Sequence, residues 1–237
     1  MNLPTTFFGW VAFITEKYGV AFLKGAGTSV YLAVLGTLLG CIIGFLAGTV
    51  RTVPLTREDN LFKRVGMNVV WAIIRFYVWI FRGTPMMVQL LIWAFVIFAS
   101  SRNRTLIGAF GIGINSGAYV AEIVRGGLMS VDIGQSEAGR SLGLGYLDTM
   151  RFIVVPQAFK NILPALGNEF ITLFKDTSLV SAIGGAELIY YAKAVGSKTF
   201  EVMYPYIGIA IMYLAVVMLL TWLQGKLERR LRQSDRR

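Results

Sequence analysis

The run GAGTSVYLAVLGTLLGCIIGFLAGTV, residues 25–50, contains no Asp, Glu, Lys or Arg. A helix rises 1.5 Å per residue, so about 20 apolar residues cross the ~30 Å hydrocarbon core of a bilayer. Charge-free runs of comparable kind cover residues 83–101, 105–121 and 202–225. A fifth run, 161–186, is apolar enough to insert although it holds Glu169, Lys175 and Asp176. The 237 residues are 55% hydrophobic and 15% charged, and the mean hydropathy of +0.62 exceeds what a soluble surface tolerates. These runs predict an all-α integral membrane protein with five transmembrane helices.

Lys and Arg are unequally shared among the loops, which sets the orientation. Residues 51–82 (Arg51, Arg57, Lys63, Arg64, Arg75, Arg82), residues 122–160 and the tail from Lys226 together carry sixteen. The N-terminal segment, the turn 102–104 and residues 187–201 carry six, with Lys175 remaining. The N-terminus is therefore expected outside and the C-terminus inside. Residues 67–81, apolar but interrupted by Arg75, read as an interfacial approach helix; a true span there would break this arithmetic. In Arg82-Gly83-Thr84-Pro85, Thr84 is expected to cap a new helix and Pro85 to take its first position. The chain divides into an extracytoplasmic segment 1–24, one membrane domain 25–225 and a basic cytoplasmic tail 226–237. With its first charges at Glu16 and Lys17, the N-terminal segment does not read as a cleaved signal.

The formal net charge of +10 comes from bunched residues, unlike a uniformly basic nucleic-acid binder. Histidine is absent and Cys41 is the single cysteine. An internal disulfide, a zinc site and a His-dependent triad are thereby excluded, and an intramembrane enzyme lacks a nucleophile and base pair.

Gly36, Gly40, Gly44 and Gly48 recur every four residues, lining one helix face with hydrogen atoms. Close packing against a neighbour is one reading and a gating hinge the other; Gly113, Gly117 and Ala121 repeat the pattern. Between the third and fourth spans, Gln135 to Gly143 reads as a short amphipathic loop helix. Gln135 and Ser136 are expected to serve its N-terminus, Glu137 to sit in the first turn and Gly143 to stop it.

Seven residues make nearly two helical turns, so Asn168 and Lys175 share one face of the fourth span, and Glu169 and Asp176 the adjacent one. Opposite charges in one region suit a zwitterionic amino acid, whose ammonium needs an anion and whose carboxylate needs a cation. The alternative is an ion pair that only allows the helix to insert. Gln89, and Asn115 with Tyr119 four residues on, can bond either a substrate or a neighbouring helix. Glu122 and Arg125 read as a helix-surface pair.

Glu137, Ala138, Gly143, Ile153 and Pro156 resemble, in identity and spacing, the cytoplasmic Glu-Ala-Ala motif in membrane subunits of ATP-binding-cassette importers. Gly139 stands where that motif has Ala, and Val155 where it has Leu. Arg82-Gly83-Thr84-Pro85, the stretch from Ala118 to Gly127, Pro156-Gln157 and Lys175-Asp176-Thr177-Ser178-Leu179 are similar to the polar amino acid permease subfamily. The resemblance covers residues 25–225 in order. It implies a permease subunit of a bacterial inner-membrane importer, paired with a second copy or a paralogue and fed by an extracytoplasmic amino acid binding protein. It further implies that a coupling loop, 134–156, docks on two cytoplasmic ATP-binding subunits through Gln135, Glu137, Ala138, Gly139 and Gly143. The substrate cavity is implied around the helix bearing Glu169, Lys175 and Asp176, within reach of Asn115 and Tyr119. The chain has no Gly-rich phosphate loop ending in Lys-Ser or Lys-Thr, so ATP and Mg are expected on the partner and no cofactor here. A rival reading is an ion-coupled secondary transporter using Glu169, Lys175 and Asp176 as coupling groups.

Overall fold

A computed structural model describes residues 3–56 and 59–234, with side chains through Leu231. Arg57, and Arg236 and Arg237 of the tail, counted above as cytoplasmic charges, lie outside the described residues. Among those described, every regular element is a helix. α1, Phe7–Val50, contains no proline and runs 44 residues, about 66 Å at 1.5 Å per residue. It starts well ahead of Gly25, so most of the N-terminal segment and the first apolar run form one helix.

α2, Leu61–Gly83, is capped by Asn60, whose side chain accepts from Lys63 N at 2.8 Å. It stops at Thr84, which is extended (φ −119°, ψ 147°) as a residue before proline should be. The expected Thr84 cap is not made. Its hydroxyl donates back to the Ile80 carbonyl at 2.8 Å, closing α2, and Pro85 takes the cap position of α3, Met86–Ile92, without a side-chain cap bond. A π-helical turn, Trp93–Ile97, continues α3.

α4 is Arg104–Met129, α5 Ile133–Ser141 and α6 Tyr146–Thr149; a π turn, Met150–Val154, leads into α7, Val155–Asp176. A 3₁₀ segment, Thr177–Ile183, then α8, Leu188–Thr199, and α9, Met203–Ser234, complete the order. The α-helical period of the fourth apolar run thus ends at Asp176, and Asn168, Glu169, Lys175 and Asp176 all lie within the α-helical part.

Among the described residues, four helices are long and apolar enough to cross a membrane: Phe7–Val50, Leu61–Gly83, Arg104–Met129 and Met203–Leu231. Residues 67–81 therefore belong to a helix of spanning length, not to a short interfacial one. The run 83–101 yields only the shorter apolar helix Met86–Ile97, because Pro85 and the extended Thr84 cut it from α2.

The chain forms two compact units. The first contains the chain to Leu38, Pro85–Gly113 and Phe170–Leu223; the second contains Leu39–Thr84, Ile114–Glu169 and the chain from Gln224. Leu32, Leu90, Ile112, Leu173 and Val180 centre one core of the first unit, and Trp10, Phe22, Leu188 and Ile209 another. In the second unit Val120, Val124, Val154 and Ile162 pack together, as do Val78, Ala118 and Ala121.

The α1 glycines are packing positions. A Cβ on Gly36 would lie 2.6 Å from Ile112 Cγ2 in the first unit. In the second, a Cβ on Gly40 would meet Ser116 Oγ at 2.8 Å, on Gly44 Val120 Cβ at 2.4 Å, and on Gly48 Val124 Cβ at 2.8 Å. Partners four apart in the same order make α1 and α4 parallel neighbours in near-backbone contact. Gly117 of α4 lies where α1 and α2 both approach: a Cβ there would meet Tyr77 Oη at 2.6 Å and Ile43 Cγ2 at 2.9 Å. Gly44→Val should overpack this seam and cost about 1–3 kcal/mol, read as a lower melting temperature of the detergent-solubilised protein. Combining Gly44→Ala with Val120→Ala should restore most of the loss; an unchanged melt for Gly44→Val would disprove the contact.

Candidate functional site

α5 emerges from the second unit between two pinned points. A Cβ on Gly127 of α4 would lie 2.3 Å from Ile162 Cγ1 of α7, and Asn161 Nδ2 donates to Ser130 Oγ at 2.8 Å. The intervening segment is thus held at both ends while its middle projects. The Asp132 side chain, not Gln135 or Ser136, caps α5 by accepting from Gly134 N at 2.7 Å. The helix therefore begins two residues before Gln135, and Glu137 falls beyond its first turn. Gln135 instead accepts from Gln157 Nε2 at 3.2 Å, tying α5 to α7.

The C-terminal stop is as expected. Gly143 has φ +80°, Gly143 N donates to Arg140 O at 2.9 Å, and Leu144 N donates to Gly139 O at 3.1 Å, the paired bonds of a left-handed helix stop. Gly139 is the buried residue of α5, and a Cβ there would stand 3.0 Å from Ile153 Cδ1 and Thr149 Cγ2. Its departure from Ala thus has a packing reason. Glu137 and Ala138 are exposed, beside the outward side chains of Ile133, Leu142 and Leu147.

The substrate candidates divide between the units. Asn115, Tyr119 and Glu169 lie in the second, and Lys175 and Asp176 in the first. Glu169 is half-buried and accepts from Ser116 Oγ at 3.0 Å. Asn115 is buried and donates its amide to the Phe81 carbonyl at 2.9 Å, a bond between helices. Tyr119 is at the surface of α4 with the Arg82 guanidinium 5.2 Å from its ring centroid, a cation–π distance. Lys175 is exposed, Asp176 half-buried, and Lys175 lines a pocket of about 430 Å³ with Ser178, Ile189, Tyr206 and Tyr213. Gln89 is buried in the first unit.

One cluster escaped sequence reasoning. Glu122 pairs with Arg125 as expected, through Nη2 at 2.8 Å and Nε at 3.1 Å, but its other oxygen accepts from Arg51. Arg51, Arg75, Trp79, Arg82, Tyr119 and Glu122 line a groove of about 480 Å³. The sequence singled out Arg75 as a cation inside an apolar run, and Arg82, Tyr119 and Glu122 for other reasons, but nothing in it brought them together.

The family described as "Binding-protein-dependent transport system inner membrane component" matches residues 65–233. The chain belongs to this family. It is 35% identical over 217 residues to the glutamine transport system permease protein GlnP of Escherichia coli (strain K12), covering 89% of this chain and 92% of that one. The arginine transport system permease protein ArtQ of Bacillus subtilis (strain 168) is 32% identical over 216 residues, covering 90% and 93%. Among solved structures, an amino acid ABC transporter crystallised with histidines matches at TM-score 0.83 and 34% identity, over 96% of this chain and 99% of that one. An inward-facing MetNI methionine ABC transporter shares the fold at TM-score 0.73 and 19% identity, over 89% and 96%. The chain is thus a membrane permease component of an ABC importer, and ATP hydrolysis belongs to separate subunits.

In this permease the Arg51–Glu122–Arg125 triad joins the end of α1 to α4. Glu122→Ala leaves two part-buried guanidinium groups without their anion, and should cost about 1–3 kcal/mol. Thermal melts of Glu122→Ala, Arg51→Met and the double variant should show strong non-additivity; additive losses would mean the triad contributes nothing.

Proposed function

We propose that this permease moves a polar amino acid inward by alternating access at an interface between two permease chains, with ATPase subunits driving it through α5. The observation that carries the reading is α5 itself: an exposed helix with a buried glycine, a defined glycine stop and both flanks pinned to α4 and α7. Such a rigid projection transmits a push; a loose loop absorbs it. Gln135, Glu137, Ala138, Gly139 and Gly143 form this docking element in the 134–156 loop. The partners are two cytoplasmic ATP-binding subunits that carry ATP and Mg, a second permease copy or a paralogue, and an extracytoplasmic binding protein. The location is the bacterial inner membrane, with the N-terminus outside and the C-terminus inside.

The spanning length of α2 is compatible with that orientation by parity. Counting Leu61–Gly83 and Met86–Ile97 as one interrupted crossing leaves five, with α1, α4, α7 with its 3₁₀ extension, and α9 as the others. Substrate selection by polar atoms is supported by the names of the relatives, which are permeases for glutamine and for arginine. Glu169 and Asp176 offer anions for an ammonium and Lys175 a cation for a carboxylate, with Asn115 and Tyr119 as further polar contributors. The ion-coupled alternative uses the same three charges, but it has no use for α5; uptake that persists with ATP after ion gradients are collapsed separates the two.

Glu137→Lys reverses an exposed charge and should leave the fold intact while abolishing substrate-stimulated ATP hydrolysis and transport in the reconstituted complex. Co-purification of the ATPase subunits checks docking directly, and normal coupling in this variant would refute it. Lys175→Gln and Glu169→Gln should reduce initial transport rates while assembly and basal ATP hydrolysis stay near normal. Loss of assembly along with transport would assign these residues to the scaffold instead.

A further inference from the structure

Arg75, Trp79 and Arg82 are spaced four and three residues apart on α2, which places them on one helix face. α2 is long and apolar enough to cross a membrane, and a cation in such a helix is costly unless it meets water, an anion or a counter-charge. Among the described residues, neither Arg75 nor Arg82 has a carboxylate within ion-pair distance.

The acid facing the same groove is already engaged. Glu122 gives one oxygen to Arg51 and the other to Arg125. Arg75 Nε reaches the Trp71 carbonyl at 3.3 Å, and the Arg82 guanidinium lies over Tyr119. Neither contact neutralises charge. The groove of about 480 Å³ is thus lined by three arginines and one acid, with Trp79 and Tyr119 as aromatic walls. Arginine forks match planar oxyanions in two-point hydrogen bonds, and the volume suffices for a small molecule or a headgroup.

We propose that this groove is an oxyanion site, taking a carboxylate or a phosphate ester on Arg75 and Arg82. On the permease reading the anion is the α-carboxylate of the transported amino acid, and only that choice of source rests on the reading. The phosphate of an anionic lipid offers the same chemistry. Glu169 and Lys175 are not among the residues that line the groove, and Arg75, the cation it adds to the pathway, lies outside the motifs of the family resemblance.

The test reads the arginines themselves. The permease complexed with its ATPase subunits, without nucleotide, is placed in phosphatidylcholine nanodiscs and treated with phenylglyoxal, and modified arginines are mapped by peptide mass spectrometry. Inorganic phosphate should protect Arg75 and Arg82 together, about tenfold at ten times its dissociation constant. L-Glutamine should protect them and 4-aminobutanamide, its decarboxylated analogue, should not. Protection by phosphatidylglycerol nanodiscs but not by glutamine assigns the site to lipid. Arg82→Gln should abolish the protection of Arg75, since one anion engages both. Absence of protection by all three probes, or protection of Arg75 that survives Arg82→Gln, overturns the site. Because no nucleotide is present, failure of α5 docking leaves this result untouched, and failure here leaves α5 docking untouched.

Discussion

The near-backbone approach of α1 to α4 is the constraint on which the rest of the permease depends. Lipid tails are as apolar as leucine, so helices in a bilayer gain little by merely hiding apolar surface from it. They associate through close van der Waals packing and hydrogen bonds. Gly40, Gly44 and Gly48 remove the side chains that would hold α4 away, and Ser116, Val120 and Val124 fill the space. α4 is then mostly buried along its apolar stretch, whereas α2 and α9 are almost wholly unburied along theirs. A helix enclosed this far presents different faces to different neighbours. Tyr77 of α2 donates to the Ile114 carbonyl at 2.5 Å, and Ser116 reaches Glu169 of α7. Moving α4 outward by one methyl group would disturb these contacts together.

Charge in this chain is handled by local partners, and the partners tell the residues apart. Glu187, at the start of α8, is fully buried, and burial pushes its carboxyl above the ordinary range. It accepts from Ile189 N and Tyr190 N, both at 3.0 Å, and from the Tyr213 hydroxyl at 2.9 Å. Those bonds pull in the opposite direction and identify it as a cap that fastens α8 to α9. Asp59 is the reverse case: Lys63 and the Thr56 amide hold its carboxyl below the usual range. A buried acid is therefore no sign of substrate by itself. Glu122 has its two guanidinium partners, whereas Arg75 and Arg82 are cations on an apolar helix with, among the described residues, no acid within ion-pair distance.

Regular spacing and local chemistry made much of this legible in advance. The period of four in the α1 glycines has one economical meaning in a membrane helix, and Gly143 sits where only a left-handed residue closes α5. The family resemblance rested on the same local runs. What was hidden depends on distance or on competition. Arg51 and Glu122 are 71 residues apart, and no periodicity links them. Asp132 outcompeted Gln135 and Ser136 because a short carboxylate ahead of a glycine reaches the free amide better than a long amide side chain does. Thr84 bonded backward because its extended backbone and the following proline end α2 before a new helix starts. α1 reached Phe7 because Glu16, Lys17 and Lys24 interrupt apolarity without interrupting helix. For the candidate substrate residues, helical phase put Glu169 and Lys175 on adjacent faces of one helix, but phase along one helix carries no information on the compact units to which its two ends belong.

The coupling proposed for α5 has a physical route within the second unit. Helices packed as tightly as Gly127 against Ile162 and Gly139 against Thr149 have no free volume in which to dissipate a displacement. A push on the exposed face of α5 is therefore delivered to the C-terminal end of α4 and the start of α7 at once. The Gln135–Gln157 and Ser130–Asn161 bonds oppose any sliding of the loop against those ends. Further along the same pair of helices lies the Ser116–Glu169 bond, so relative motion of α4 and α7 stretches or relieves the contact that holds this carboxylate. On the proposed coupling, Glu169 reports the state of α5 without any separate signalling element, because the two share the helices that the glycines bring together.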